Sequence, residues 1–286
     1  MEATYQISGV RIRVESPLDF APNTINPMGP FQTDADSPDF RMTLQIVSQL
    51  EPPQGTLLFQ GSGQQIYSLP QGDCRYLGTV ENGWEHGHTQ VVFHADHLQV
   101  RILETMVPNG LIPRLVLNAL GIERLIIRQG GFLLHASYIL YRGKAILFTA
   151  PSGTGKSTQA ELWCRHRGAE LINGDRVAVK VSGDGVYACG VPFSGSSKVC
   201  RNVTAPLSAI VYLSQAPKTT ISPLRGYRAF RSIWEGCSIS VWDRQDVDLC
   251  THSVSAAVSA VPVFHLACTP DESAVTALES ALEQWR

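Results

Sequence analysis

The chain has 286 residues, 44% of them hydrophobic, and a formal net charge of −2. That length holds one large or two ordinary domains, and the apolar fraction suffices for a packed core. Residues 1–110 carry five Lys/Arg against twelve Asp/Glu, a balance of −7, whereas residues 111–286 carry eighteen against thirteen, a balance of +5. An excess this modest argues against a nucleic-acid partner and suits a phosphate-bearing ligand. The seven cysteines (Cys74, Cys164, Cys189, Cys200, Cys237, Cys250, Cys268) are odd in number and nowhere spaced as a CxxC pair, which points to reduced thiols. No basic-then-apolar leader and no apolar run of membrane-spanning length is visible, so the expectation is a soluble chain that stays in the cytoplasm, with no membrane partner.

In chain order, Tyr5, Ile7, Val10, Ile12 and Val14 alternate as a strand would, and Val91–Phe93 and Val100–Val107 predict two more. Residues 17–40 and 51–73 are rich in Pro, Gly, Asp and Gln and read as short strands and loops punctuated by those residues. A mainly β N-terminal region is therefore expected over 1–110, with a second domain over 111–286. Ile112, Leu115, Val116, Ala119, Ile122 and Ile126 share one helical face. Strands follow at Phe132–Tyr141 and Ala145–Thr149, then a glycine loop, then a helix from Ser157 to about Arg167 with Glu161 and Arg165 one turn apart and Gly168 as its stop. Two further strands flank Gly183-Asp184-Gly185, and Ala209–Leu213 and Val261–Leu266 predict two more. Thr269-Pro270-Asp271-Glu272 reads as a capping box, opening a last helix with Val275, Leu278, Leu282 and Trp285 on one face. Strands and helices alternate, so the class is α/β.

The chemistry concentrates in Ala145-Ile146-Leu147-Phe148-Thr149-Ala150-Pro151-Ser152-Gly153-Thr154-Gly155-Lys156-Ser157-Thr158. A buried strand, a loop with two glycines and Lys-Ser opening a helix is an arrangement that binds the β- and γ-phosphates of a nucleotide. The glycines let successive N–H groups converge without Cβ clashes, and the helix start adds unsatisfied donors and a positive dipole end. Ser152 to Thr158 would cradle the phosphates, Lys156 would reach the β/γ oxygens, and the Ser157 hydroxyl would ligate Mg2+. The first glycine of the usual pattern is Ala150 here, which is tolerable where φ is negative.

Leu134-His135-Ala136-Ser137, then the loop, then Leu171-Ile172-Asn173-Gly174-Asp175-Arg176-Val177 is similar in order and spacing to the catalytic domain of HPr kinase/phosphorylase. It also resembles the P-loop nucleotide core of ATP-dependent phosphoenolpyruvate carboxykinase; the resemblance covers roughly residues 112–286. What it implies is an ATP- and Mg2+-dependent kinase, with His135, Lys156 and Asp175 as catalytic residues and Ser157 and Asp175 toward the metal. In the carboxykinases the histidine matching His135 helps hold a second metal, and in the HPr kinases a histidine at this place lies near the reacting phosphate. In both families a second aspartate precedes the one matching Asp175, and Gly174 occupies that place here. Either Asp175 therefore does two jobs, or His135 serves as the base, or the reaction departs from the family's. No Lys/Arg set for oxaloacetate is matched, so transfer to a hydroxyl on a peptide, a protein or a small molecule is expected rather than decarboxylation. Enzymes of this type often assemble, which implies a homo-oligomer. The alternative is a nucleotide-regulated binding protein without transfer chemistry. A further idea is that the N-terminal region recognises a peptide by strand addition.

Other groups stand beside these. Gly190-Val191-Pro192-Phe193-Ser194-Gly195-Ser196-Ser197-Lys198 is a small-residue loop that could cover the acceptor or the γ-phosphate, with Lys198 and Arg201 neutralising charge. His86, His88, His94 and His97 lack the spacing of a known ligand set. His265 reads as a core histidine, and Arg225, Arg228 and Arg231 form a basic helical edge that touches substrate or, more simply, faces water.

Overall fold

The computed structural model describes residues 1–18, 26–61, 63–78, 87–109 and 112–285. The chain packs as two compact units, Met1–Ile122 and Glu123–Arg286.

The first unit is built on one nine-stranded sheet. Its strands are β1 (Glu2–Ile7), β2 (Val10–Glu15), β3 (Gln32–Thr33), β4 (Phe40–Val47), β5 (Thr56–Gly61), β6 (Gln64–Leu69), β7 (Gly72–Leu77), β8 (Thr89–Phe93) and β9 (His97–Leu103), in spatial order β3-β1-β2-β4-β9-β8-β7-β6-β5. The alternation expected as one strand over residues 5–14 is a hairpin, because Ser8 (φ 53°) and Gly9 (φ 88°) form a turn with positive φ at both central residues. That mirror-image turn matches strand twist, and it keeps Ile7, Val10, Ile12 and Val14 on the buried face. The short strands expected within 51–73 are β5, β6 and the start of β7, which pair as an antiparallel meander. Strand β9 ends at Leu103, and residues Glu104–Asn109 turn into a 3-10 helix. The single helical face expected over 112–126 divides into α1 (Ile112–Ala119) and α2 (Ile122–Arg128). The break is at Gly121, whose φ of 55° only glycine adopts easily.

The second unit is mixed α/β. Its elements after α2 are β10 (Gly131–Tyr141), β11 (Lys144–Thr149), α3 (Lys156–Arg167), β12 (Glu170–Asn173), β13 (Arg176–Ser182), β14 (Gly185–Gly190), β15 (Thr204–Gln215), β16 (Thr220–Leu224), α4 (Gly226–Trp234), β17 (Cys237–Ser238), α5 (Arg244–Ala260), β18 (Val263–Cys268) and α6 (Glu272–Gln284). Two long strands each serve two sets of neighbours. The first half of β10 pairs with β13 and β17, and its second half with β11 and β12. The start of β15 pairs with β14, while its remainder lies parallel to β11 and β18. Strands that bend from one sheet into another in this way make a corner. One apolar layer, including Phe148, Ala160, Trp163, Leu213, Phe264 and Leu278, joins the sheet to α3 and α6. The other, including Leu134, Val177, Ile210, Ile233 and Val254, joins it to α4 and α5.

Charges fix the helices on these layers. Arg124 donates to the buried carboxylate of Asp246 (2.9 Å) and to Asp243 (2.6 Å), and Arg128 reaches both. Asp243 also caps α5, accepting from the N–H groups of Gln245 and Asp246. Burial pushes its carboxyl up, but those N–H groups and the two arginines more than reverse this, and it titrates below the usual aspartate value. Among the described residues, Glu161 and Arg165 form no ion pair; Arg167 instead ties α3 to α6 through Glu279 (2.6 Å) and Glu272 (3.1 Å). The last helix starts later than its capping box suggested. Asp271 is the cap, accepting from Ser273 N–H (2.9 Å), because the Thr269 hydroxyl is engaged with that of Thr219 (3.1 Å). Strand β18 likewise begins at Val263 rather than Val261, since Val261 closes α5 with its N–H on Ala257.

Candidate functional site

The loop Ala150–Gly155 leaves the end of β11, a buried strand beside parallel β15, and runs into α3. Open α/β sheets bind their ligands at such strand ends. Gly153 (φ 78°) and Gly155 (φ 117°) take conformations that a side chain would strain, while a Cβ at either would meet nothing within 4 Å. These glycines thus serve backbone direction, not close packing. Gly155 is the N-cap of α3 and offers no side chain to its first-turn N–H groups, and no acidic residue lies in that turn. Donors at the helix start therefore remain for something else. Thr154 steadies the loop by donating its hydroxyl to the Pro151 carbonyl (2.9 Å).

Lys156 is only 7% exposed. Its ammonium donates to the carbonyls of Ala150 (3.0 Å) and Pro151 (3.3 Å), so it is folded back under the loop with a third hydrogen to spare. Burial lowers its pKa and the nearby carboxylate of Asp175 raises it again, the burial effect prevailing. Among the other loop residues, Ser157 is half-buried, whereas Ser152 and Thr158 are exposed. A cavity of about 670 Å³ lies along Gly153, Thr154, Gly155, Thr158 and Gln159 and reaches Gln215 and Cys268.

His135 and Asp175 meet where β10 changes partners. The Asp175 carbonyl accepts from the N–H of Ala136 (3.0 Å) and from His135 Nδ1 (2.8 Å), and the Asp175 carboxylate stands 3.6 Å from the same nitrogen. A carbonyl can only accept, so Nδ1 carries the hydrogen and Nε2 of neutral His135 keeps a lone pair. Burial depresses the His135 pKa first, and the Lys156 charge next; Asp175 opposes both without prevailing. Asn173 has no role in the sequence reading, yet its fully buried amide organises the turn. Its oxygen accepts from the N–H groups of Asp175 (2.9 Å) and Arg176 (3.1 Å), and its nitrogen donates to the Val191 carbonyl (2.7 Å). An Asn followed by Gly-Asp is the composition of such an Asx turn, so the signal was present.

The loop over 190–198 closes on Asp175, and this accounts for Gly174. A Cβ on Gly174 would land on Ser197 Oγ and within 2.6 Å of its Cβ, and a Cβ on Gly195 would come within 2.8 Å of Asp175 Cβ. A second carboxylate beside Asp175 has no room while this loop is in place. Lys198 is exposed, at a left-handed φ of 57°. The Arg201 guanidinium pairs with Glu170 (3.2 Å) and does not turn to the loop.

The remaining sequence candidates lie elsewhere. His94 and His97 stack (4.0 Å between centroids), His88 meets Thr89 Oγ1 (2.9 Å), and His86 is outside the described residues. Among the described residues, no group of three His, Cys, Asp or Glu is placed to hold a metal. His265 is half-buried with Nε2 on Ser214 Oγ (2.8 Å), and Arg225 lies over the Trp285 ring (5.4 Å). All seven cysteines are free thiols. No described helix is long and apolar enough to cross a membrane.

Gly174→Ala is expected to cost about 1–3 kcal/mol by overpacking against Ser197. Combining it with Ser197→Gly should recover much of that loss in urea unfolding; a Gly174→Ala protein as stable as the parent contradicts the packing. The His135 ring, followed by NMR, should titrate below ~6.5 and move upward in Lys156→Ala. Because the folded value is the lower one, the contribution of His135 to stability is present above ~6.5 and is lost as pH falls from there through the folded value. A midpoint that Lys156→Ala leaves in place would contradict the coupling.

No curated protein matches this chain. Among solved structures, the HPr(Ser) kinase/phosphatase from Coxiella burnetii is similar over 54% of this chain and 99% of its own, at 13% identity and a TM-score of 0.32. The family model described as SynChlorMet cassette protein ScmC matches residues 102–270, which is more than half of the chain. The chain belongs to the family of SynChlorMet cassette protein ScmC.

Proposed function

We propose that this protein is an ATP- and Mg2+-dependent kinase that transfers the γ-phosphate to a hydroxyl acceptor. The observation that carries the reading is the buried ammonium of Lys156, held under a glycine-turned loop whose following helix start is left uncapped. A buried cation beside unsatisfied N–H donors is suited to an oligophosphate. The cavity of about 670 Å³ along the loop has room for the rest of a nucleotide. The donor set fits magnesium as well: the Ser157 hydroxyl and the Asp175 carboxylate are hard oxygens, and Mg2+ is usually held by one or two protein ligands plus phosphate and water. A bound Mg2+ would neutralise charge on the phosphates and the leaving group.

In the transfer, the acceptor oxygen forms a bond to the γ-phosphorus, and the bond from that phosphorus to the β–γ bridging oxygen breaks. ADP leaves with the electron pair, and the hydroxyl proton passes to a base. The unprotonated Nε2 of His135 suits that role, since burial and Lys156 keep the ring neutral and the Asp175 carbonyl fixes its tautomer. Lys156 grips the phosphates, Ser152 to Thr158 surround them, and Lys198 on the covering loop is available to the acceptor side. A cytoplasmic setting and assembly into a homo-oligomer belong to the same reading.

A second reading, a nucleotide-regulated binding protein without turnover, is favoured by the crowding that leaves no place for a carboxylate at Gly174. Calorimetry and ADP release by the purified chain separate the two. Lys156→Ala should weaken MgATP binding at least about thirtyfold, equivalent to about 2 kcal/mol. Acceptor-dependent ADP release supports the kinase, and tight binding with no γ-phosphate loss supports the second reading. A Lys156→Ala protein that binds and turns over ATP like the parent removes both.

A further inference from the structure

A second, smaller cavity of about 240 Å³ lies between α4 and the sheet, lined by Tyr212, Arg228, Arg231, Ser232 and His265 among others. Two observations attach it to the site above. Tyr212 sits opposite Thr149, the last residue before the glycine loop, and it also lines the space beside Pro151–Thr154. The chain leaving α4 then rests against the site: the Gly236 carbonyl accepts from the His135 N–H (2.8 Å), and a Cβ there would meet Thr149 Oγ1 at 2.9 Å. The cavity therefore shares Tyr212 with the space beside the loop, and the chain that leaves its helix is hydrogen-bonded to the backbone of His135.

Its charge is specific. Arg231 is held by Glu235 (2.7 Å), and Arg225 is engaged with Trp285. The Glu235 carboxylate lines the cavity too and is matched by Arg231, whereas Arg228 has no ion pair among the described residues, which leaves one cation in excess. The Ser232 hydroxyl donates to Ala229 O (2.8 Å) and keeps its lone pairs, and His265 is fixed through Ser214. A planar guanidinium with free donors at the edge of a small cleft suits one carboxylate or phosphate and the few atoms attached to it.

We infer that this cavity is the acceptor subsite, and that the acceptor carries an anionic group, carboxylate or phosphate, which Arg228 holds while its hydroxyl meets the γ-phosphorus. The inference rests on the kinase reading and adds the class of acceptor to it. From the sequence, Arg225, Arg228 and Arg231 form an edge that touches substrate or faces water; the Arg228 side chain is exposed and also lines this cavity.

Arginine modification by phenylglyoxal, mapped by peptide mass spectrometry on the full chain, tests this. Arg244, whose side chain is 95% exposed on α5, is the internal reference. Inorganic phosphate and acetate are each compared with sodium chloride at matched ionic strength, in the parent and in Lys156→Ala. Phosphate or acetate should slow modification of Arg228 at least about threefold relative to Arg244, and equally in Lys156→Ala, with the more protective anion naming the acceptor's group. If neither protects Arg228, or if the protection disappears in Lys156→Ala, the inference is overturned. MgATP affinity measured on the same preparation keeps the two levels apart, because retained nucleotide binding without protection sinks the subsite alone.

Discussion

The carbonyl oxygen of Asp175 accepts from two donors, the backbone N–H of Ala136 and Nδ1 of His135, and the site's geometry follows from that pair of hydrogen bonds. The first contact belongs to the pairing of β10 with its neighbours and the second to a side chain. One atom thus ties the sheet corner to the imidazole. The tautomer, the position of the ring and the approach of the Asp175 carboxylate are all consequences. Asn173 secures the other side of the same turn by accepting from the N–H groups of Asp175 and Arg176. Chemistry is placed here by backbone hydrogen bonds before any ligand contributes.

The corner itself explains why distant segments converge. A straight β10 would keep its neighbours in one sheet; the change of partners between His135 and Ala136 brings β13 and β11 to consecutive stretches of one strand. The loop after β11 and the turn before β13 therefore lie on either side of His135. The electrostatics follow from that proximity: burial and then the Lys156 ammonium lower the tendency of the half-buried imidazole to hold a proton, burial lowers that of Lys156, and the Asp175 carboxylate opposes both shifts.

Much of this was legible in the residues, and for physical reasons. The strand before the loop, the two glycines and the Lys-Ser helix start form a local motif whose geometry depends on neighbours in sequence, and the hairpin around Gly183-Asp184-Gly185 is equally local. What escaped reading was set by distant contacts. The bounds and pairing of the β5–β7 strands hid in residues chosen for turns, with too few apolar positions to show a period of two. The helix expected to run unbroken to Ile126 stops at Gly121, and the capping box at Thr269 lost to a better cap because Thr219 claimed its hydroxyl. The absent second acid at position 174 reads in sequence only as a departure. In the fold it is a steric requirement of the Ser194–Lys198 turn. Likewise, Arg228 faces a cavity only because α4 lies over Tyr212 and His265.

The central claim is that the loop amides and the Lys156 ammonium together hold an oligophosphate. Amide NMR of the labelled chain titrated with MgATP observes it directly. The account predicts that the N–H resonances of Gly153, Gly155, Lys156 and Ser157 shift together and saturate, while amides of the first unit's sheet stay in place. Loop amides that remain unmoved at millimolar MgATP, or shifts confined to other parts of the chain, would contradict it.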